Sequence, residues 1–508
     1  MTVEGESFDW RRPSLLLGLL TILIHLLVNG RYGFFRDELY FIVCGQYPAL
    51  GYVDQPPLVP LLAAASRALF GDFLLGFRLI PMLALTATVA ITAEFTRLIG
   101  GGRFAQWLAG LSMLFGLQFL AFGLLFSTDM FQPLACLLCG WCLVKLEQSG
   151  DERWWLAIGA VVGAALLTKY LIAFFVVALA AGLVFTPVRR SLARPYVYLG
   201  ALLALAIIAP NVWWQWAHGW PFLELGKAGA GGKNIELSPL AFFQQQILFV
   251  GPLAAPVWLA GLWAGFVRPR FATWRAFAIA YVFLFALFVA IHGKAYYLSS
   301  IYPLVLSMGA VMWERWLARP AWRAAALAAL TITGAAMAPF AVPALPEKTY
   351  IAYAAALGLT PAATATEHSK LGVLPQHFAD MHGWPEMAAK VAAVYHALPP
   401  QDRARAVFFG RDYGQSAAID VFGRPLGLPP AIGGHNNYFV WGPMGHDGSV
   451  LIVVGGDPVD HARLFGSVTV AGATSDPYAM PYENRPIYVL RNMKVPLERY
   501  WPRVKHYE

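Results

Sequence analysis

Residues 31–60 read RYGFFRDELYFIVCGQYPALGYVDQPPLVP and follow the first long apolar run of the chain. Three acids stand in this one stretch: the adjacent Asp37 and Glu38, and Asp54 just before Gln55-Pro56-Pro57. Charged residues are only 13% of the 508, so three acids in one loop need a reason. Phe34, Phe35, Leu39, Tyr40 and Phe41 surround the first two, in a spacing that predicts a short helix at a membrane surface. Half-desolvation makes a carboxylate a better general base. Neighbours on a helix point about 100° apart, so Asp37 and Glu38 are expected to differ: one faces a cleft, the other holds structure or a cation. Solvated loop charges are the plain alternative. Asp54 stands at a corner made rigid by two prolines, as a ligand or as a helix cap.

Outside this stretch the composition is that of a membrane protein. The chain is 58% hydrophobic, with a mean hydropathy of +0.55, against roughly 45–50% apolar and about 25% charged for soluble domains. A spanning helix needs about 20 apolar residues. Eleven runs qualify, at 14–30, 76–98, 104–124, 131–147, 154–168, 171–187, 196–216, 242–266, 276–291, 298–316 and 322–341. Only Lys169-Tyr170 divides the fifth from the sixth. The first run lacks a small-residue cleavage site after it and reads as a retained helix.

Lys/Arg bias orients these runs. With Arg11 and Arg12 inside, every inside connection is basic: Arg97 and Arg103; Lys145 and Arg153; Arg189, Arg190 and Arg194; Arg268, Arg270 and Arg275; Arg315, Arg319 and Arg323. The outside connections are then the 31–60 loop, Ser127-Thr128-Asp129, Lys169-Tyr170, the 217–240 loop and His292-Gly293-Lys294. From about Leu345 no spanning run remains. Short apolar strands AVFFG (406–410), VLIVVGG (450–456) and PIYVL (486–490), with a helical QSAAIDVF after the first, predict a small outer α/β domain. The expected architecture is a multi-span α-helical membrane domain, 1–344, with a first outer loop at 31–75, and a soluble extracytoplasmic α/β domain, 345–508. The expected location is the plasma (inner) membrane, with a cytoplasmic N-terminus.

The same topology brings further polar groups to the outer face. Asp129 reads as an N-cap of the next helix or as a second active-site acid, since an ionisable group there is costly unless used. Lys169 and Lys294 suit a phosphate, or snorkel. His218 and His292 could ligate a cation, but no metal spacing such as HExxH is present, so a divalent cation is only a weak inference. Trp213, Trp214, Trp216 and Trp220 read as an aromatic belt, with sugar stacking as the alternative. Cys136, Cys139 and Cys142 share one apolar helix without His or acid partners and read as core packing. Basic residues form no stripe, which argues against nucleic acid. HGWP occurs at His218–Pro221 and His382–Pro385, too short to mark a duplication.

Arg36-Asp37-Glu38-Leu39-Tyr40 and Tyr52-Val53-Asp54-Gln55-Pro56-Pro57-Leu58 resemble the first outer loop of GT-C glycosyltransferases. The likeness is greatest to the bacterial branch related to protein O-mannosyltransferases and lipid A aminoarabinose transferases. Thr128-Asp129 resembles that branch's second acidic site, and Lys294-Ala295-Tyr296-Tyr297 followed by Tyr302-Pro303 its later Lys-x-x-Tyr segment. The resemblance covers roughly residues 10–340. It implies about 11 transmembrane helices and a polyprenyl-phosphate sugar donor. It further implies a glycan, lipid or protein acceptor hydroxyl and inversion at the anomeric carbon. Asp37 is then the base, with Glu38 and Asp129 as further catalytic candidates. Arg36, Asp54, Gln55, Lys169, His218, His292, Lys294 and Tyr297 are the binding candidates. Relatives often carry Glu-Lys-Pro-Pro where this chain has Asp54-Gln55-Pro56-Pro57, so a phosphate-contacting lysine is missing. Lys169, Lys294 and Arg36 are the cations left to replace it. The competing class is a transporter or flippase of a lipid-linked sugar. Its members carry midplane charges and repeated halves, and neither is visible here.

Overall fold

The computed structural model describes residues 12–228, 235–364 and 370–507. The acidic N-terminal stretch with Arg11, and part of the 217–240 loop, lie outside the described residues. Contacts divide the chain into two units. One holds Met1–Asn29, Arg78–Pro210 and Glu236–Ala344; the other holds Gly30–Phe77, Asn211–Ile235 and Leu345–Glu508. By contacts, then, the acidic first loop groups with the C-terminal segment.

The first unit is helical and apolar. Pro13 opens its first helix, Pro13–Val28, where a missing N–H costs nothing. Four helices among the described residues are long and apolar enough to cross a membrane: Leu79–Leu98, Pro195–Ala217, Ala295–Trp316 and Pro320–Phe340. Pro195–Ala217 runs past the unit boundary at Pro210. Two runs expected to be single spans are broken. Arg103–Leu114 and Leu117–Leu124 meet at 64°, and Pro239–Val250 and Ala255–Val267 at 115°. The second break falls at Gly251-Pro252. Proline disfavours helical geometry in the residue before it, and Gly251 takes φ 103°. Hydropathy stays high through this corner, so a window average reads straight across it. Lys169-Tyr170, in contrast, is a true break, between Trp154–Leu166 and Ile172–Leu183.

The second unit carries the first-loop helices Arg36–Gln46 and Leu58–Phe70 and a five-stranded sheet. Its strands are β1 (Ala406–Gly410), β2 (Ile432–Gly433), β3 (Val450–Val454), β4 (Phe465–Ala473) and β5 (Pro486–Met493). The order is β2-β1-β3-β5-β4. β1 runs parallel to β2 and β3, while β5 is antiparallel to β3 and β4. All five residues of β3 are buried, which is why VLIVV is continuously apolar. One face of the sheet buries Val407, Leu451, Val453, Tyr488 and Leu490 with Leu497 and Trp501. QSAAIDVF forms the expected helix, Tyr413–Ala418, continued by a π-turn at Ile419–Gly423. The two HGWP copies share a local role: Gly219 (φ 74°) and Gly383 (φ 85°) each turn the chain into a helix, at Pro221 and Trp384.

Candidate active site

The three first-loop acids have separate fates. Glu38 is the third residue of its helix and is fully buried. Its carboxylate accepts the Phe35 N–H at 2.8 Å, reaching back over an otherwise orphaned donor as in a capping box. Asp54 caps no helix, since Leu58–Phe70 starts beyond Pro57. It accepts the Tyr40 hydroxyl at 3.0 Å on one oxygen and the Asn436 amide at 3.3 Å on the other. Tyr40 in turn accepts the Asn437 N–H at 3.2 Å, and Asn437 Oδ1 accepts the Val53 N–H at 2.7 Å.

Asp37 is the acid left open. Its side chain is 34% exposed. Oδ1 accepts the Tyr413 hydroxyl at 2.7 Å, and Arg36 Nε lies 3.6 Å from the same oxygen. Arg36 is itself enclosed. Nη1 donates to the Tyr482 hydroxyl at 3.0 Å, Nη2 lies 3.8 Å from Asp380, and the guanidinium stands 5.2 Å over the Tyr413 ring. The Tyr482 hydroxyl donates to Asp380 at 3.1 Å.

Behind this lies a second pair of acids. Asp412 caps the helix of Tyr413, accepting the Gln415 N–H at 2.9 Å. Glu483 accepts the Gln415 side-chain amide at 3.2 Å. Burial raises both carboxyls above their ordinary range; the Gln415 N–H opposes the rise in Asp412, and Asp412 adds to it in Glu483. Two carboxyls so close together in a dry site cannot both ionise freely.

The first unit carries a different arrangement. Asp129 does not cap the helix Gln132–Ser149, whose N-cap is Phe131. Its two oxygens instead accept Lys169 Nζ at 2.8 and 2.7 Å. The same ammonium stands 4.7 Å over the Tyr297 ring and 5.8 Å over Tyr296. Lys294 lies 6.0 Å over Tyr296, and His292, largely exposed, is 3.5 Å from Glu236. The Lys-x-x-Tyr segment, Asp129 and Lys169 are thus one cluster.

The remaining candidates have other partners. His218, in the second unit, stacks on Trp214 at 4.0 Å and lies 2.8 Å from its carbonyl oxygen. Gln55 is almost wholly buried, with its amide nitrogen 3.9 Å from Cys44 Sγ. Trp213 and Trp216 are more than half exposed, whereas Trp214 is buried. Among the described residues no three His, Cys, Asp or Glu side chains gather as a metal site. The sequence pattern did not single out Tyr413, Asp380, Tyr482 or Glu483. The usable signal was the Asp412-Tyr413 start of the QSAAIDVF helix.

Known proteins resemble this chain in sequence and in fold. Residues 54–214 match the family described as dolichyl-phosphate-mannose-protein mannosyltransferase. A curated relative, the lipid A galacturonosyltransferase RgtD of Rhizobium johnstonii, is 27% identical over 245 residues, 46% of this chain. That match spans 49% of the relative, about half its length. The crystal structure of ArnT from Cupriavidus metallidurans bound to undecaprenyl phosphate superposes with a TM-score of 0.60 at 14% identity. It covers 94% of this chain and 97% of ArnT. Its apo form superposes equally well, at 13% identity. The chain therefore has the fold seen in ArnT, and residues 54–214 carry the mannosyltransferase-family pattern.

Proposed function

We propose that this protein is a membrane glycosyltransferase that moves a sugar from a polyprenyl-phosphate donor to an acceptor hydroxyl, with Asp37 as the base. The observation that carries the reading is the sorting of the first-loop acids. Glu38 is held by the Phe35 N–H and both oxygens of Asp54 are engaged, while Asp37 keeps a half-open carboxylate. The acceptor oxygen attacks the anomeric carbon and gives its proton to Asp37. The bond from that carbon to the phosphate oxygen breaks, and its electron pair leaves with the polyprenyl phosphate. One displacement inverts the centre. Because phosphate is a good leaving group, a placed base and cations for the departing phosphate are the main requirement. Lys169 and Lys294, beside Tyr296 and Tyr297, are assigned to the donor phosphate. Asp129 holds Lys169 in place.

The donor class draws support from the undecaprenyl phosphate bound to ArnT, and a lipid acceptor from the lipid A named for RgtD. Glycan and protein hydroxyls are the other acceptors with the same chemistry. The Lys/Arg bias supports a multi-pass protein of the plasma membrane, with a cytoplasmic N-terminus and the C-terminal segment outside.

The test compares envelope lipids and glycans, by mass spectrometry, between cells with and without this protein. A sugar-bearing species should vanish and its unmodified acceptor accumulate, together with unused donor. Reconstituted vesicles then separate enzyme from carrier: the enzyme forms the glycoside, whereas a flippase moves unchanged lipid. Repeating the assay with EDTA and with added Mg2+ or Mn2+ reads any divalent-cation requirement. Transport without glycoside formation would sink the proposal.

A further inference from the structure

We propose that Tyr413 is a positioning residue for the transfer: its hydroxyl anchors one oxygen of Asp37 so that the other is aimed at the acceptor. The proposal rests on Asp37 being the base.

Both partners of Asp37 address the same oxygen. Tyr413 donates to Oδ1 at 2.7 Å, and Arg36 Nε stands 3.6 Å from it. No hydrogen bond among the described residues engages Oδ2. Another phenol–carboxylate pair of this unit differs: Tyr40 takes Asp54 Oδ1 and Asn436 takes Oδ2, so neither oxygen is left over. A carboxylate's terminal torsion is broad and roughly two-fold. Anchoring one oxygen fixes the direction of its partner, which is the positional control a proton transfer needs.

Tyr413 is built to hold that place. The Asp412 cap starts its helix. Its ring packs 4.7 Å from Tyr40 and 4.9 Å from His435, and its N–H donates to His435 Nδ1 at 3.3 Å. Arg36 covers the ring face. This approach needs glycine at the next position, since a Cβ on Gly414 would stand 2.5 Å from Arg36 Cγ. Burial, with Asp37 adding and Arg36 opposing, holds the phenol well above its ordinary range. Tyr413 therefore remains a donor and keeps its proton while Asp37 accepts the substrate's. The C-terminal segment thereby supplies a working part of the catalytic apparatus.

The experiment uses the full chain in vesicles. The donor is the polyprenyl-phosphate-sugar fraction of cells lacking the protein, and the acceptor is the unmodified envelope lipid of the same cells. Tyr413→Phe should lower kcat about 10- to 100-fold, a share of the roughly 10²–10⁴ that a general base supplies. KM for the donor should stay within about twofold, because uniform binding is untouched. 3-Fluorotyrosine at 413, which keeps the hydroxyl, should restore kcat. Tyr438→Phe is the control: it also removes a buried phenol from a carboxylate in this unit, Asp420 at 2.7 Å, and should lower the unfolding temperature without changing kcat. Equal kcat losses in the two Phe variants would show a structural role only and overturn the proposal. So would an unchanged kcat in Tyr413→Phe beside an inactive Asp37→Asn, an outcome that leaves the base assignment standing. An active Asp37→Asn protein overturns both.

Discussion

Two acidic clusters, one in each unit, are neutralised in opposite ways. In the first unit one carboxylate meets one ammonium: both oxygens of Asp129 bind Lys169. In the second, four carboxylates, Asp37, Asp380, Asp412 and Glu483, act on the guanidinium of Arg36, with Arg411 also acting on Asp412. A matched pair fixes a charge at a place. In the surplus, burial raises Asp412 and Glu483 above their ordinary range, while Asp37 keeps a side chain 34% exposed. On the proposed reading, base chemistry falls to the Arg36 cluster and phosphate or structural work to the Asp129–Lys169 pair.

The largest expected effect breaks the surplus at its open member. Asp37→Asn keeps the shape and still accepts the Tyr413 hydroxyl, but loses the basic oxygen. Transfer should fall by about 10²–10⁴, with insertion and unfolding temperature close to wild type. The vesicle assay, paired with a melting curve, reads both. Activity near wild type would move the base elsewhere.

Next comes the matched pair. Lys169→Met leaves Asp129, almost buried, without its counter-charge. Removing one partner of such a pair costs on the order of 3 kcal/mol. Asp129→Asn alone should cost less, because the longer Lys169 can reach the aromatic faces of Tyr296 and Tyr297. The double variant should recover part of the Lys169→Met loss. If the single losses simply add, measured by thermal unfolding in detergent, the two side chains are not coupled.

How much of this was legible from residue order follows from what each feature depends on. The first-loop acids stood out because charge is scarce in an apolar chain, and that scarcity survives any fold. The strands β1, β3 and β5 were legible as short apolar runs. β4 was not, because most of its residues stay partly or fully exposed and FGSVTVAGA mixes glycine and serine with valine. The break at Gly251-Pro252 was hidden because hydropathy carries no direction. The partners of Asp37 and Tyr40 were hidden for a stronger reason: Tyr413 is 376 residues from Asp37, and Asn437 is 397 from Tyr40. No periodicity links positions that far apart. Asp129 was read as a cap or an active acid and Lys169 as a phosphate ligand or a snorkelling side chain. Their pairing is a tertiary fact that neither reading contained.

A third prediction uses pH to test whether burial governs the acids of the second unit. Asp420 accepts the Ala431 N–H at 2.9 Å and the Tyr438 hydroxyl, yet burial outweighs both bonds and raises its carboxyl to about 6. An unfolded aspartate titrates near 3.9. Between these values the folded chain holds a proton that the unfolded chain has lost. The contribution to stability is complete below about pH 4 and is lost as pH rises through about 6, at roughly 1 kcal/mol per unit across the window. The stability difference between wild type and Asp420→Asn should follow that slope in denaturant titrations at pH 4, 5, 6 and 7. A flat difference would mean that the two hydrogen bonds, not burial, decide the proton.

The smallest effect separates Glu38 from its neighbour. A glutamine at this position can still accept the Phe35 N–H, since capping boxes use Glu or Gln. Glu38→Gln should therefore shift stability by no more than about 0.5 kcal/mol, whereas Glu38→Ala should lose about 1 kcal/mol. A catalytic carboxylate would give the reverse pattern, with glutamine as damaging to transfer as alanine. Measuring kcat and unfolding temperature on the same two variants tells the roles apart. A large kcat loss in Glu38→Gln at unchanged stability would place a second working acid beside Asp37, and the surplus of charge around Arg36 would then serve two proton transfers instead of one.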